Sequence, residues 1–226
     1  MYAIAVARDY SKKAEIMFKL LMLDLDGTIR QCKSNPNEFI NSPEDQEIIL
    51  GADKAIKHYH EKEWKIVGIS NQGGCSAINP ETGRPYKVLE DAIAESHYTL
   101  KLFPQILCIY ICPDFEGKHC WLIGRKHDEV PVHTTEWGRE FVGTFRKPQP
   151  GMLNAAIKMS GFKEQKSKYW FIGDRPEDEE GAMRAGVNFM PADIWLNRFR
   201  PGVHEMNISR KQVEFLEGIE LKEDRQ

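Results

Sequence analysis

The chain has little that would commit it to a membrane, to a nucleic-acid surface or to an oxidising compartment. Over its 226 residues no apolar run approaches the length of a membrane span. The stretch from Met1 to Glu15 carries Arg8, Asp9, Lys12 and Lys13 with no apolar core or small-residue cleavage site, so it does not read as a secretory signal. Positive charge is not in excess: 31 Lys and Arg face 34 Asp and Glu, a net charge of −3 that gives no global attraction to polyanions. The five cysteines (Cys32, Cys75, Cys108, Cys112, Cys120) are odd in number and scattered, which argues against a disulfide framework and for a reducing, cytoplasmic setting. There is no internal repeat and no low-complexity tract. What is present, 41% hydrophobic and 29% charged residues, suits one α/β domain with a sizeable core.

The rest of the chain is organised around Lys19-Leu20-Leu21-Met22-Leu23-Asp24-Leu25-Asp26-Gly27-Thr28. Its first half is a continuous apolar run of the kind that forms a strand buried on both faces, Phe18 to Asp24. It stops at two carboxylates one residue apart and then at a turn. In open α/β sheets ligands bind beyond the C-terminal ends of the strands, and residues i and i+2 of a strand share a face, so both acids are expected to face one pocket. One carboxylate would act as a nucleophile and the other would handle a proton.

Residues 1–17 have no clear period and are set apart as an N-terminal extension. Gln31 to Asn41 reads as a loop. Ser42-Pro43-Glu44-Asp45 has the signals of a helix start, and Ile48, Ile49, Ala52, Ala55, Ile56 and Tyr59 recur at helical spacing up to His60. Strands are expected at Trp64–Ile69, Gln105–Cys112, Lys168–Gly173 and Val187–Met190, with helices at Val88–Phe103, Met152–Ser160 and Glu177–Ala185. Small polar residues and glycines, Ser70-Asn71-Gln72-Gly73-Gly74, follow the second strand and suit close approach to an anion. Residues 113–145 show no persistent period and are expected as a long loop holding a short hairpin at Cys120–Ile123. Trp195 and Phe199 are candidate packing anchors. The core is thus placed at 18–208, with a charged helical tail over 209–226.

Four strand ends therefore carry chemistry: Asp24 and Asp26; Ser70 and Asn71; Arg146 and Lys147 ahead of a helix; Asp174 and Asp178. Carboxylates converging beside a Lys and small donors suit a hard divalent cation and a phosphate. In this order, Asp24-Leu25-Asp26-Gly27-Thr28, Ser70-Asn71, Lys147-Pro148 and Gly173-Asp174…Asp178 resemble the four motifs of the haloacid dehalogenase-like hydrolase superfamily, over about Leu20 to Phe189. The resemblance implies a Rossmann-like, doubly wound parallel sheet with helices on both faces. It implies that Asp24 forms an aspartyl-phosphate, that Asp26 is general acid and then base, and that Lys147 bridges phosphate and nucleophile. Ser70, Asn71 and Arg146 would bind phosphate. Mg2+ would be held by Asp24, the Asp26 main-chain carbonyl and Asp174, with Asp178 in the outer shell. An acid two residues after the nucleophile is what the phosphatases of the superfamily have, which disfavours dehalogenase and P-type ATPase chemistry.

Only about forty residues separate the first two motifs, so a large cap domain does not fit there and a minimal cap is expected. Asn71-Gln72 and Arg146-Lys147-Pro148-Gln149-Pro150-Gly151 resemble the branch of histidinol-phosphate and heptose-bisphosphate phosphatases and polynucleotide 3′-phosphatases. Members of that branch often carry a zinc loop, from which this sequence departs. Cys112 lacks the following His, Gly143-Thr144-Phe145 stands where a cysteine pair should be, and Cys108 lies about 13 Å along a strand from Cys112. Zinc is not expected; its weak candidates are Cys112, His119 and Cys120 with His127 or His133. Cys75 is expected as a small buried residue. Arg125, Lys126, His127, Arg139, Arg146, Arg198 and Arg200 are candidates to ring an open site, with Trp121 or Trp137 stacking a base, although a solvated face is the simpler reading. The expected partner is a small phosphorylated metabolite met by a monomer or weak dimer, with a polynucleotide 3′ end as the alternative. A non-catalytic phosphate-binding module is the reading from another class, and it has no chemical need for Asp26.

Overall fold

A computed structural model describes residues 19–218 except Asn41, His127 and 162–167. The expected extension 1–17, Phe18, the ring of His127 and the end of the tail, 219–226, lie outside the described residues.

Strand β1 (Lys19–Leu23) is the centre of the molecule. Leu21 and Leu23 enter one core and Leu20 and Met22 the other, because successive side chains of a strand leave on opposite faces. It pairs in parallel with β4 (Trp64–Asn71) on one side and β8 (Tyr169–Gly173) on the other. Beyond them lie β5 (Ile106–Cys112) and β9 (Asn188–Pro191), also parallel. The chain runs outward from β1 to β4 and β5, then returns to β8 across β1. The direction of winding thus reverses between β1 and β8, which is where an α/β sheet opens a crevice.

Helices α1 (Ala52–Glu61), α2 (Leu89–Leu102), α5 (Ala192–Asn197) and α6 (Arg210–Glu217) bury their apolar sides with Leu21 and Leu23. On the other face α3 (Gly151–Ser160) and α4 (Pro176–Ala185) pack on Leu20 and Met22. This is the doubly wound arrangement expected. Trp195 is fully buried and Phe199 packs against the same core. Helix α6 is capped by Ser209, whose hydroxyl accepts from the Gln212 N–H, and it docks Phe215 flat on Trp170 at a centroid distance of 4.1 Å.

Three expectations need correction. The expected parallel sheet is present, and it carries an antiparallel edge that the fold class did not include. Residues 113–145 supply two antiparallel strands at its edge, β6 (Trp121–Gly124) and β7 (Glu129–Pro131), giving the order β7-β6-β5-β4-β1-β8-β9. The hairpin expected near Cys120–Ile123 is this pair. The second correction concerns the helix start at Ser42. Ser42 to Asp45 is a turn, and Gln46–Ile48 (β3) pairs antiparallel with Arg30–Cys32 (β2), which runs into the stretch expected as loop from Gln31; the helix begins only at Ala52. A helical 42–60 would take the Gln46 side chain away from the fully buried Arg30, whose Nη1 donates to Gln46 Oε1 at 3.0 Å. An N-cap is worth about 1 kcal/mol, less than leaving a buried guanidinium donor unmade. Third, Cys75 is half-buried rather than buried, its thiol 3.8 Å from the Val88 carbonyl. Between the first motif and α1 the small β2–β3 hairpin is the only sheet, and no large cap stands over the strand ends among the described residues.

Candidate active site

Strand β1 ends at Leu23, and the Asp24 N–H donates to the Ile172 carbonyl of β8 at 2.9 Å, which fixes the acid at the reversal point. Both oxygens of Asp24 are held. Oδ1 accepts from Lys147 Nζ at 2.5 Å, and Oδ2 accepts from the buried Thr28 hydroxyl at 3.2 Å, which also lies 3.4 Å from Asp174 Oδ1. Lys147 Nζ bonds Asp178 Oδ1 at 2.6 Å and the Ile69 carbonyl at 3.3 Å, so all three ammonium donors have partners. Asp178 is the N3 residue of α4, and its Oδ2 accepts from the Arg175 N–H at the head of that helix.

Two glycines let the acids come this close. Gly27 has φ +87, and a Cβ there would overlap the Asp174 carboxylate; a Cβ on Gly173 would overlap Asp178.

The electrostatics are those of an under-neutralised pocket. Burial pushes the Asp24 carboxyl up to about 7; Lys147 pulls it down, while Asp178 and Asp26 add to the rise. Burial, then the charge of Asp178, likewise raises Asp174, against Arg175 and Lys147. For Lys147 burial opposes the charge, but the Asp24 and Asp178 carboxylates outweigh it and raise the ammonium. Carboxylate oxygens of Asp24, Asp174 and Asp178 lie within 4.8 Å of one another, the one such cluster among the described residues. One ammonium against three acids, all offering hard oxygen donors, fits a divalent cation such as Mg2+.

The Asp26 carboxylate is not in this triplet. The strand has ended, so the i, i+2 rule no longer applies. The carboxylate is gripped instead by Arg30, with Nε to Oδ1 at 3.0 Å and Nη2 to Oδ2 at 3.1 Å. At the phosphate end, buried Ser70 accepts from Gln72 Nε2 at 3.0 Å and keeps its own hydroxyl proton to donate. The Asn71 side chain is used differently from the expectation. Its Nδ2 donates to the Lys147 carbonyl and its Oδ1 accepts the Lys147 N–H, each at 3.0 Å, so it positions Lys147 rather than presenting an amide to phosphate. Arg146 lies against Gly73 with its guanidinium 4.8 Å over the Phe115 ring, and its Nη1 is buried without a protein partner.

Other candidates are committed elsewhere. Arg125 bonds the Phe103 and Ile106 carbonyls at the N-terminal end of β5, opposite the acids. Arg139 bonds the Thr134 carbonyl, Arg198 pairs with Glu217, and Arg200 bonds the Leu50 carbonyl. Trp121 and Trp137 pack against the two cores. Of the zinc candidates, Cys112 Sγ contacts the Asp114 carbonyl, and His119 Nδ1 lies 3.0 Å from Asp114 Oδ2. Cys120 is buried with its backbone on His133. The roles of Thr28, Arg30, Gln72, Lys87 and Glu95 were not visible in the sequence; only Thr28, inside the acid motif, and Gln72, beside Ser70 and Asn71, carried any signal.

Residues 19–196 match the family described as polynucleotide kinase 3 phosphatase. A D-glycero-D-manno-heptose-1,7-bisphosphate 7-phosphatase of Chlorobaculum tepidum is 30% identical over 175 residues, 75% of this chain and 75% of that protein. The histidine biosynthesis bifunctional protein of Legionella pneumophila (strain Lens) is 29% identical over 181 residues; the match covers 77% of this chain and 41% of that protein. The chain thus matches less than half the length of that relative. In fold it is similar to the D,D-heptose 1.7-bisphosphate phosphatase from B. bronchiseptica, solved with magnesium and phosphate (TM-score 0.51, 21% identity, 77% of this chain and 79% of the other). The same holds for a HAD-like phosphatase from Mesorhizobium loti (TM-score 0.53, 23% identity, 75% and 69%). With the acids gathered at one sheet edge and most of its length matched, the chain belongs to the polynucleotide kinase 3 phosphatase family.

Proposed function

We propose that this chain is a cytoplasmic, magnesium-dependent phosphomonoester phosphatase that works through an aspartyl-phosphate on Asp24, acting on a small phosphorylated metabolite. The observation that carries the reading is the buried Lys147 ammonium, 2.5 Å from Asp24 and 2.6 Å from Asp178, beside a third carboxylate at the crevice.

With Lys147 on one oxygen and Thr28 on the other, Asp24 is oriented before substrate arrives. An Asp24 oxygen bonds to phosphorus as the ester P–O bond breaks, and Asp26 gives its proton to the departing alkoxide. A water then attacks phosphorus and Asp26 takes its proton. The bond to Asp24 breaks, returning the carboxylate and releasing inorganic phosphate. Lys147, the Ser70 hydroxyl and the unpartnered Arg146 Nη1 would meet the phosphoryl oxygens, where charge is concentrated. Bound by Asp24 and Asp174, with Asp178 behind them, Mg2+ would neutralise the same oxygens.

A generic aryl phosphate tests this. Hydrolysis is expected with Mg2+ and is expected to vanish in EDTA; full activity in metal-stripped protein would overturn the mechanism. A polynucleotide 3′ end is the second reading. It is favoured by two exposed aromatics, Phe115 against Gly73 and Tyr86 against Gly74, where a terminal base could stack. A panel of phosphorylated metabolites set against 3′-phosphorylated oligonucleotides separates the two. Phosphate binding without turnover on either panel would point to a non-catalytic module instead.

A further inference from the structure

Arg30 has no exposed surface, and its five N–H donors all have acceptors. Besides the two bonds to Asp26, Nη1 donates to Gln46 Oε1 at 3.0 Å and Thr99 Oγ1 at 2.5 Å, and Nη2 to Glu95 Oε1. Glu95, itself buried on α2, accepts from Lys87 Nζ at its other oxygen, Oε2. Lys87 donates to Gln72 Oε1 at 3.2 Å, and Gln72 donates to Ser70 Oγ at 3.0 Å. Asp26, Arg30, Glu95 and Lys87 alternate in sign and sum to zero, and the two fully buried members, Arg30 and Glu95, each meet opposite charge on both sides. The row runs unbroken from the proposed acid–base residue to the proposed phosphate-binding hydroxyl. A guanidinium held at every nitrogen fixes whatever its fork holds.

We propose that Arg30 is the positioning residue for Asp26, and that Glu95 and Lys87 extend its hold to the phosphate end of the site. The inference rests on the reading of Asp26 as general acid and base. Arg30 touches no substrate. It keeps the Asp26 carboxylate at one place and angle, so that the proton reaches the leaving oxygen while Ser70, at the other end of the same row, holds the phosphate.

The test compares wild type, Arg30→Lys, Asp26→Ala and the double variant, all with Mg2+. Steady-state turnover is measured on an alkyl phosphate, and the pre-steady-state burst on an aryl phosphate. Lysine keeps the charge and loses the fork. An alkyl leaving group needs the proton and an aryl one departs without it. Arg30→Lys is therefore expected to lower alkyl kcat about 10- to 100-fold, with the aryl burst changed less than about 3-fold and KM within about 2-fold. In the Asp26→Ala background the same substitution should add less than about 2-fold, because Arg30 acts through Asp26. Equal loss for both esters, or a fully additive loss in the double variant, reduces Arg30 to packing and overturns the inference. Should wild type hydrolyse neither ester, or Asp26→Ala show no dependence on leaving group, the underlying reading fails and takes this one with it. Should Arg30→Lys fail to fold, Glu95→Gln is read the same way: alkyl-selective loss supports the proposal, unselective loss overturns it.

Discussion

Asp24 is under opposing electrostatic demands. Burial and two neighbouring acids push its carboxyl up to about 7, and Lys147 at 2.5 Å draws it back. A carboxyl whose pKa rises on folding binds its proton more tightly in the folded chain. Its stabilising contribution is therefore whole below about pH 4 and is lost as the pH rises towards 7. Asparagine has the same shape and no such proton, and Lys147 keeps Asp178 as a partner at 2.6 Å. In EDTA, the Tm of Asp24→Asn relative to wild type is expected to climb between about pH 4 and pH 7 and to level off above that. With Mg2+, its turnover should fall to about a thousandth of wild type or less. Calorimetry across pH and a steady-state assay check the two halves. A flat Tm difference would show that Asp24 is not held above its ordinary range, and near-normal turnover would remove it as the nucleophile.

At the scale of elements, the junction of β8 with α4 is the tightest part of the site. Gly173 ends the strand and Asp178 looks back at it from the third position of the helix; the alanine methyl would overlap that side chain. Gly173→Ala is expected to destabilise by roughly 1–3 kcal/mol, a loss of several degrees in Tm, and to lower kcat because Asp178 holds Lys147. An unchanged Tm and rate would mean that helix and strand separate more readily than their packing implies. The strands and helices around this junction were legible from sequence, because continuous apolar runs ending in acids and a 3.6-residue period are local signals. So was the gathering of Asp24, Lys147, Asp174 and Asp178 at one edge, which follows from parallel strands. The β2–β3 hairpin was not. Ser42-Pro43-Glu44 satisfies helix rules locally, and the competing pairing depends on Arg30 meeting Gln46 and, 65 residues on, Glu95. Nothing in the residues around it, between the acid motif and a polar loop, marks Arg30 as buried. The contact of the Asn71 side chain was hidden for the same reason: its partner is the backbone of Lys147, 76 positions away.

For the whole molecule, the reversal between β1 and β8 divides the sheet into two wings, β4 to β7 on one side and β8 with β9 on the other. Helix α6 bridges them: Phe215 stacks on Trp170 of β8 and, at 4.8 Å, on Tyr59 of α1. At the opposite end of the strands the bridge is electrostatic, since Asp24 belongs to one side of the reversal and Asp174 and Asp178 to the other, with excess negative charge between them. A cation held there binds the folded chain and not the unfolded one, so it stabilises by mass action. At a hundred times its Kd this amounts to about 2.7 kcal/mol, or roughly 5–10 °C in Tm for a chain of this size. Asp174→Asn removes one ligand and one of the two carboxyls that burial pushes up, while Lys147 keeps both its acid partners. Its metal-free Tm is therefore expected to equal or exceed that of wild type, and the rise on adding Mg2+ to shrink to a small fraction. Thermal melts with and without Mg2+ decide it. An equal Mg2+ shift in both proteins would put the stabilising ion somewhere other than between the wings.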